Sequence, residues 1–218
     1  MRRFTLLSIL AMLAATPVAW SQAASQANEG YKTKDGRDKV AKTLDNPNRD
    51  KTQKPEEIIA AMDLKPGMSV ADIGTGTGYM LPFLSRAVGP TGYVVGEDIA
   101  EDFLDRARAR ITSENLANTK LRLGTETDPN LASGLDIELV LDVYHHFDYP
   151  DKMLANLARV LKPGGHLVIV DFYKKDRPDH IRLEREDVIK EIEANGFRMT
   201  AKRDSIGNNQ YMLTFAKR

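Results

Sequence analysis

Val70-Ala71-Asp72-Ile73-Gly74-Thr75-Gly76-Thr77-Gly78-Tyr79 decides how this chain folds. The apolar run from Met68 to Ile73 reads as a short strand. Glycines follow at 74, 76 and 78, and Met80, Leu81, Leu84 and Val88 then recur at helical spacing. A glycine-rich turn between strand and helix lets backbone approach a ligand closely and aims helix N–H groups at it. The spacing is Gly-x-Gly-x-Gly. A dinucleotide fingerprint, Gly-x-Gly-x-x-Gly, needs glycine where Tyr79 stands. Asp72 sits just before the turn. A carboxylate there repels a pyrophosphate and attracts an ammonium group.

The flanking sequence alternates strand and helix patterns. Upstream, Pro55 with Glu56 and Glu57 opens a short helix that Pro66-Gly67 ends. Downstream, Gly92 to Ile99 holds the β-rich Tyr93-Val94-Val95, and Ala100 to Asn115 is a charged helix with Phe103, Leu104, Ala107 and Ile111 on one face. Leu121 to Leu123 is a short strand, and Asp136 to Val143 is nearly all apolar, as a strand buried on both faces must be. Pro150 to Leu161 is an amphipathic helix that Pro163-Gly164-Gly165 stops, and Leu167 to Val170 is another apolar strand. A helix over Ile181 to Ala194 precedes two strands, Phe197–Lys202 and Gln210–Ala216, joined around Gly207-Asn208-Asn209. Alternation of this kind predicts a parallel, doubly wound α/β sheet with helices on both faces. The last two strands share only a short polar link, so they pair antiparallel.

A second carboxylate agrees with the first. Gly96-Glu97-Asp98 closes the second strand, and Asp98 lies 20 residues after Gly78. An acid at that strand end accepts ribose hydroxyls in doubly wound folds. Strand alternation puts Glu97 on the opposite face and favours Asp98 for that role. An amine and a nucleoside without phosphates describe S-adenosylmethionine.

The stretches 70–79, 94–99, 136–147 (Asp-Ile-Glu-Leu-Val-Leu-Asp-Val-Tyr-His-His-Phe) and 159–172 (Arg-Val-Leu-Lys-Pro-Gly-Gly-His-Leu-Val-Ile-Val-Asp-Phe) together resemble class I (Rossmann-like) S-adenosylmethionine-dependent methyltransferases. The resemblance implies a single domain with a seven-stranded sheet, order 3-2-1-4-5-7-6, strand 7 antiparallel. It implies that Asp72, Gly74, Thr75, Gly76, Gly78 and Tyr79 hold the methionine part of the cofactor, and that Asp98 holds the ribose. Ile99 and Asp142 complete the implied cofactor set. The adenine contact follows the third strand, at Gly124-Thr125-Glu126-Thr127-Asp128. Thr125 replaces the family's usual acid, which leaves Glu126 and Asp128 as candidates.

Methyl transfer from a sulfonium is an in-line displacement, and the protein needs mainly to align the acceptor and exclude water. Asp142-Val143-Tyr144-His145-His146-Phe147 follows the fourth strand, at the end that faces the ligand crevice in open α/β sheets. Tyr144, His145 and His146 are the candidate catalytic residues, with His146 preferred, because imidazole moves protons near neutral pH. No metal is expected. Asp142 and Asp171 stand where catechol-type O-methyltransferases hold magnesium, but the Asn that follows the second Asp there is Phe172 here. His180, Arg182, Tyr173 and Lys174 fall near the segment that often shapes the acceptor site.

The 218 residues carry 31 Lys+Arg and 31 Asp+Glu, which gives no electrostatic case for a nucleic-acid partner. Asn-Pro-Pro-Tyr, the base-amine methylation signature, is replaced by Asp-Val-Tyr-His after the fourth strand. A small-molecule acceptor is expected, its O, N or S atom undetermined. Cysteine is absent, which excludes disulfides and thiol nucleophiles. Arg2-Arg3, an apolar run from Phe4 to Trp20, and the small residues Ser21 to Ala24 read as a secretory signal peptide, residues 1–23, cut after Ala23. An uncleaved anchor is the membrane-bound alternative. Cleavage leaves a net charge of −2 and an exported, periplasmic or secreted protein. Residues 24–50 read as a polar lead-in, and residues 51–218 as the methyltransferase domain. S-adenosylmethionine is made in the cytoplasm. Two further readings therefore stand beside the enzyme: an exported non-catalytic binding module, and a protein carboxyl methyltransferase.

Overall fold

A computed structural model describes residues 24–218. The expected signal peptide, its cleavage point after Ala23 and Trp20 lie outside the described residues. Seven strands form one sheet: β1 Ser69–Ile73, β2 Tyr93–Asp98, β3 Thr119–Leu123, β4 Leu135–Leu141, β5 Leu161–Asp171, β6 Phe197–Ile206 and β7 Gln210–Lys217. Their order is β3-β2-β1-β4-β5-β7-β6, with β7 antiparallel to both neighbours and every other pair parallel. The expected fold is found.

The strand period of two sorts each strand between two apolar layers. Ala71, Ile73, Val140, Leu167 and Leu213 face a layer completed by helices α6 (Pro150–Val160) and α7 (Arg185–Ala194), which supply Leu154, Leu157, Val188 and Ile192. Val70, Leu139, Val168 and Met212 face the other layer. There α3 (Pro55–Ala61), α4 (Leu81–Val88) and α5 (Glu101–Ser113) contribute Ile58, Leu84 and Ala107. Each fully buried Leu or Ile contributes about 1.5–3 kcal/mol relative to exposure. Glu138 interrupts the first layer: it is fully buried, both oxygens lack a partner, and burial holds its carboxyl well above the usual range.

β6 runs four residues beyond the expected Lys202, to Ile206, and two other elements start well away from where the sequence pattern places them. β5 begins at Leu161, directly after α6, and runs through Pro163-Gly164-Gly165, where the pattern places a break. Gly164 takes φ +80°, and the pairing with β4 shifts between Leu135 and Ile137. The proline is tolerated because it lies at the irregular start of the strand, where the ladder is already interrupted. α7 starts at Arg185, not Ile181, because Glu184 is extended (φ −68°, ψ 150°).

The lead-in is structured and docked. It contains α1 (Lys34–Leu44) and the start of α2 (Arg49–Gln53), which crosses the expected boundary at residue 50. Thr33 caps α1 by accepting the Gly36 N–H at 3.1 Å. Arg37 Nε donates to Asp102 at 2.8 Å, and Arg110 Nη2 donates to Asp45 at 3.1 Å, so α1 lies along α5. Among the described residues, no helix is long and apolar enough to cross a membrane.

Candidate active site

The carboxyl ends of β1, β2 and β4 open into a cavity of about 500 Å³. Glycines shape its floor. Gly74 and Gly76 take φ +67° and +55°, a region that side chains rarely adopt. A Cβ on Gly74 would lie 2.6 Å from Val143, and one on Gly76 would lie 3.0 Å from Leu44. The turn is therefore pressed between the segment after β4 and the end of α1. Gly78 differs from both. A Cβ there would meet Ala107 and Leu81 at 3.0 Å, so this glycine sets the packing of α4 on α5 and does not line the cavity.

Three buried carboxyls surround this floor. Asp72 accepts the Thr75 hydroxyl at 2.6 Å, and burial raises it to about 7. Asp98 accepts the Gly76 and Ala100 amides, each at 2.9 Å, and burial raises it to about 6. Glu97 receives the Gly74 amide at 3.3 Å on one oxygen and has no partner for the other. Burial, with Asp98 next to it, pushes Glu97 well above the usual carboxylate range. Alternation puts Glu97 and Asp98 on opposite strand faces, yet both line the cavity, because it wraps around the end of β2.

The lead-in supplies the facing wall, which sequence pattern does not signal. Arg49 stacks on the Tyr79 ring with its guanidinium carbon 3.9 Å from the centroid, and its Nη2 is 3.7 Å from Asp142. The Tyr79 hydroxyl donates to Asp50 at 2.7 Å. Asp142 takes φ +59° and also receives a hydrogen bond from Gln210 Nε2. Burial and the charge of Asp171 raise Asp142 to about 6, against the pull of Arg49. Tyr31 packs edge-on against both Phe103 and His146, at 6.2 and 4.7 Å between ring centres. Asn28 Nδ2 donates to the His146 carbonyl and to Asp148, each at 3.0 Å, which leaves Asn28 Oδ1 to accept from His146 Nδ1 at 2.8 Å.

Most of the residues expected from sequence meet here. Asp72, Gly74, Thr75, Gly76 and Tyr79 line the cavity, as do Asp98, Ile99 and Asp142. Of the two adenine candidates, Glu126 lines it, whereas Asp128 pairs with Arg159 at 3.2 Å outside it. Of the three catalytic candidates, only His146 lines it. The Tyr144 hydroxyl is turned into the core and donates to Glu191 at 2.6 Å, beside Arg182. His145 is buried, with Nδ1 2.7 Å from Asp171 and Nε2 3.2 Å from His180 Nε2. The cause is the 3₁₀ turn Tyr144–His146, whose three residues per turn point consecutive side chains about 120° apart. Burial and the neighbouring imidazoles hold His146 well below its ordinary pKa, so it is neutral. Asp171 lies 2.7 Å from His145 Nδ1 and accepts from the Phe172 amide at 2.8 Å.

The chain matches the family described as a methyltransferase domain over residues 64–216, and it belongs to that family. The ubiquinone/menaquinone biosynthesis C-methyltransferase UbiE of Burkholderia cenocepacia is 33% identical over 116 residues, 53% of this chain and 48% of that protein. An uncharacterized 37.1 kDa protein in transposon TN4556 of Streptomyces fradiae is 37% identical over 113 residues, 51% of this chain and 32% of that one. The chain thus spans less than half the length of these two relatives. The crystal structure of an S-adenosylmethionine-dependent methyltransferase from Aquifex aeolicus superposes with a TM-score of 0.76 at 29% identity, covering 81% of this chain and 96% of that one.

Proposed function

We propose that this chain transfers a methyl group from S-adenosylmethionine to a small-molecule acceptor by in-line displacement. The observation that carries the reading is the pair Asp72 and Asp98, buried at adjacent strand ends around the Gly74–Gly78 turn, on a cavity of small-molecule size. Each carboxyl receives only neutral donors from nearby loops and lies above its ordinary pKa. A ligand bearing an ammonium and paired hydroxyls supplies what they lack, whereas phosphates would meet three buried acids. The cofactor fits this set of groups.

Asp72 would hold the ammonium and Asp98 the ribose. Glu126 would border the base. Arg49, stacked on Tyr79, is the cation available for the methionyl carboxylate, in the fork geometry that such pairs use. When bound, S-adenosylmethionine supplies a methyl group already activated on a sulfonium sulfur. The remaining work is positioning and exclusion of water. Asn28, Tyr31, His146 and Phe147 wall the other end of the cavity, and His146 is the candidate partner for the acceptor's heteroatom. A small molecule is favoured over a nucleic acid by the balanced charge. Residues 1–23 support export of the protein, with a mature start at Ala24.

Calorimetry with S-adenosylmethionine tests the reading. The wild type should bind, and Asp72→Ala and Asp98→Ala should bind far more weakly. A wild type that shows no binding sinks it. Binding without transfer of labelled methyl to any acceptor in a cell extract would favour the non-catalytic module. N-terminal sequencing of protein recovered from cells tests export, which an intact Met1 would contradict.

A further inference from the structure

Three of the chain's four histidines converge on one point. One ring nitrogen from each of His145, His146 and His180 lies within 4.8 Å of the other two, although His145 and His180 are 35 positions apart. Hydrogen bonds fix two of the tautomers. Asp171 approaches His145 Nδ1 with both oxygens, at 2.7 and 3.0 Å. An ionised carboxylate only accepts, so that nitrogen carries the proton and Nε2 keeps a lone pair. Asn28 Oδ1 does the same for His146 Nδ1, because both hydrogens of its amide nitrogen are donated elsewhere. His145 Nε2 meets His180 Nε2 at 3.2 Å. That separation is close to the ~3.3 Å edge of a tetrahedron built on zinc–nitrogen bonds of about 2.0–2.1 Å. The rings are splayed, at 42° to 77° to one another, and so approach from different directions.

We propose that His145, His146 and His180 form a three-histidine site for a divalent transition-metal ion of the zinc class, with Asp171 and Asn28 orienting two of the ligands and the fourth position open. Imidazoles whose second nitrogen is held by a carboxylate or an amide oxygen are the usual pattern in such sites. Three neutral nitrogens and an open position describe a catalytic rather than a structural site. The sequence-based expectation of no metal weighed Asp142 with Asp171; the grouping of His145, His146 and His180 is a tertiary feature that this comparison did not include. An ion held here borders the cavity that Asn28 and His146 line, so a water or an acceptor heteroatom can take the fourth position. The site does not depend on the methyl-transfer reading, because its test measures metal and not turnover.

The purified protein is stripped with a chelator and titrated with zinc, and separately with cobalt(II). We expect one equivalent of zinc bound at micromolar concentration, and a visible cobalt(II) spectrum of four-coordinate intensity. His180→Ala, a loop substitution, should weaken zinc binding at least about 100-fold with unchanged circular dichroism. Asp171→Asn should weaken it about 10–100-fold. His166→Gln, at the remaining histidine, should change nothing. Less than about one-tenth of an equivalent retained by the wild type overturns the proposal and leaves Asp171–His145–His180 as a hydrogen-bonded relay. Full zinc retention by His180→Ala overturns it as well.

Discussion

The two ends of the cavity are built by different means. At the glycine end, Asp72 and Asp98 are held by groups a few residues away or on the adjoining turn: Thr75, Gly76 and Ala100. At the histidine end, the decisive contact joins Asn28 to His146, 118 positions apart. The first end follows from consecutive strand–turn–helix units. The second exists only when the lead-in lies against the sheet. Cofactor holding is thus expected to tolerate changes around Asn28 better than acceptor handling does.

The largest effect that can break this contrast is at Asp72. Asp72→Asn should lower S-adenosylmethionine affinity about 100-fold, near 3 kcal/mol, as loss of a buried charge-assisted contact does. The same change should stabilise the ligand-free protein at pH 8, on the order of 2–4 kcal/mol. The fold raises Asp72 from the usual 3.8 to about 7 and so favours the protonated form. The stability this confers is complete below the unfolded value and is lost as pH rises through about 7. Asparagine removes that loss. Opposite signs in calorimetry and thermal melting are the expected result. A weaker binder that also melts lower would make Asp72 a structural residue.

Arg49→Ala probes the facing wall. It should cost about 10–30-fold in S-adenosylmethionine affinity, which is smaller than at Asp72 because Arg49 already lies 3.7 Å from Asp142, so part of its charge is offset before the ligand binds. Asn28→Ala, by contrast, should leave that affinity unchanged and lower turnover about tenfold once an acceptor is found, through loss of one hydrogen bond that orients His146. If Asn28→Ala lowers cofactor affinity as much as Arg49→Ala, the two ends are not separable.

Affinity should also depend on pH through Asp72. The ligand's ammonium favours the carboxylate, and the free protein holds a proton there up to about pH 7. Binding therefore releases a proton. Affinity should rise up to about tenfold per pH unit between 5.5 and 7 and then flatten. Calorimetry in buffers of different ionisation enthalpy measures that release, and a flat profile contradicts the raised pKa. The smallest effect lies outside both ends. Glu138→Met should raise stability by about 1 kcal/mol at neutral pH, because it removes a buried carboxyl with no partner. Urea unfolding reads this, with cofactor affinity unchanged.

The glycine end was legible in sequence because local rules specify it. Spacing fixes the turn, the absent glycine at 79 excludes a dinucleotide, and strand period places Asp98. Strand order followed from the resemblance, and the antiparallel last pair from its short link. The β5 start at Leu161 was hidden by Pro163-Gly164-Gly165, which reads as a break but is spanned where the pairing shifts. Tyr144 and His145 were legible as residue types and not as directions. A strand end predicts which segment faces the crevice, but a 3₁₀ turn decides which side chain does. Arg49, Tyr31 and Asn28 left no signal, because isolated polar and aromatic residues in a charged lead-in have no periodicity to mark a buried face.

By itself, the sequence determined the family, the sheet and the two acids at its centre. The acids and the glycine turn show in a local strand–turn–helix pattern and the strands in their apolar period, although the strand pairs themselves join distant positions, such as Val70 with Ile137. Tertiary structure alone decided which wall faces the glycine turn, that Asn28 holds His146, and that His180 joins the two adjacent histidines. Those facts rest on side chains more than 30 positions apart along the chain. Such pairings are set by how helices and loops dock on the sheet, and local propensity carries no information about that docking.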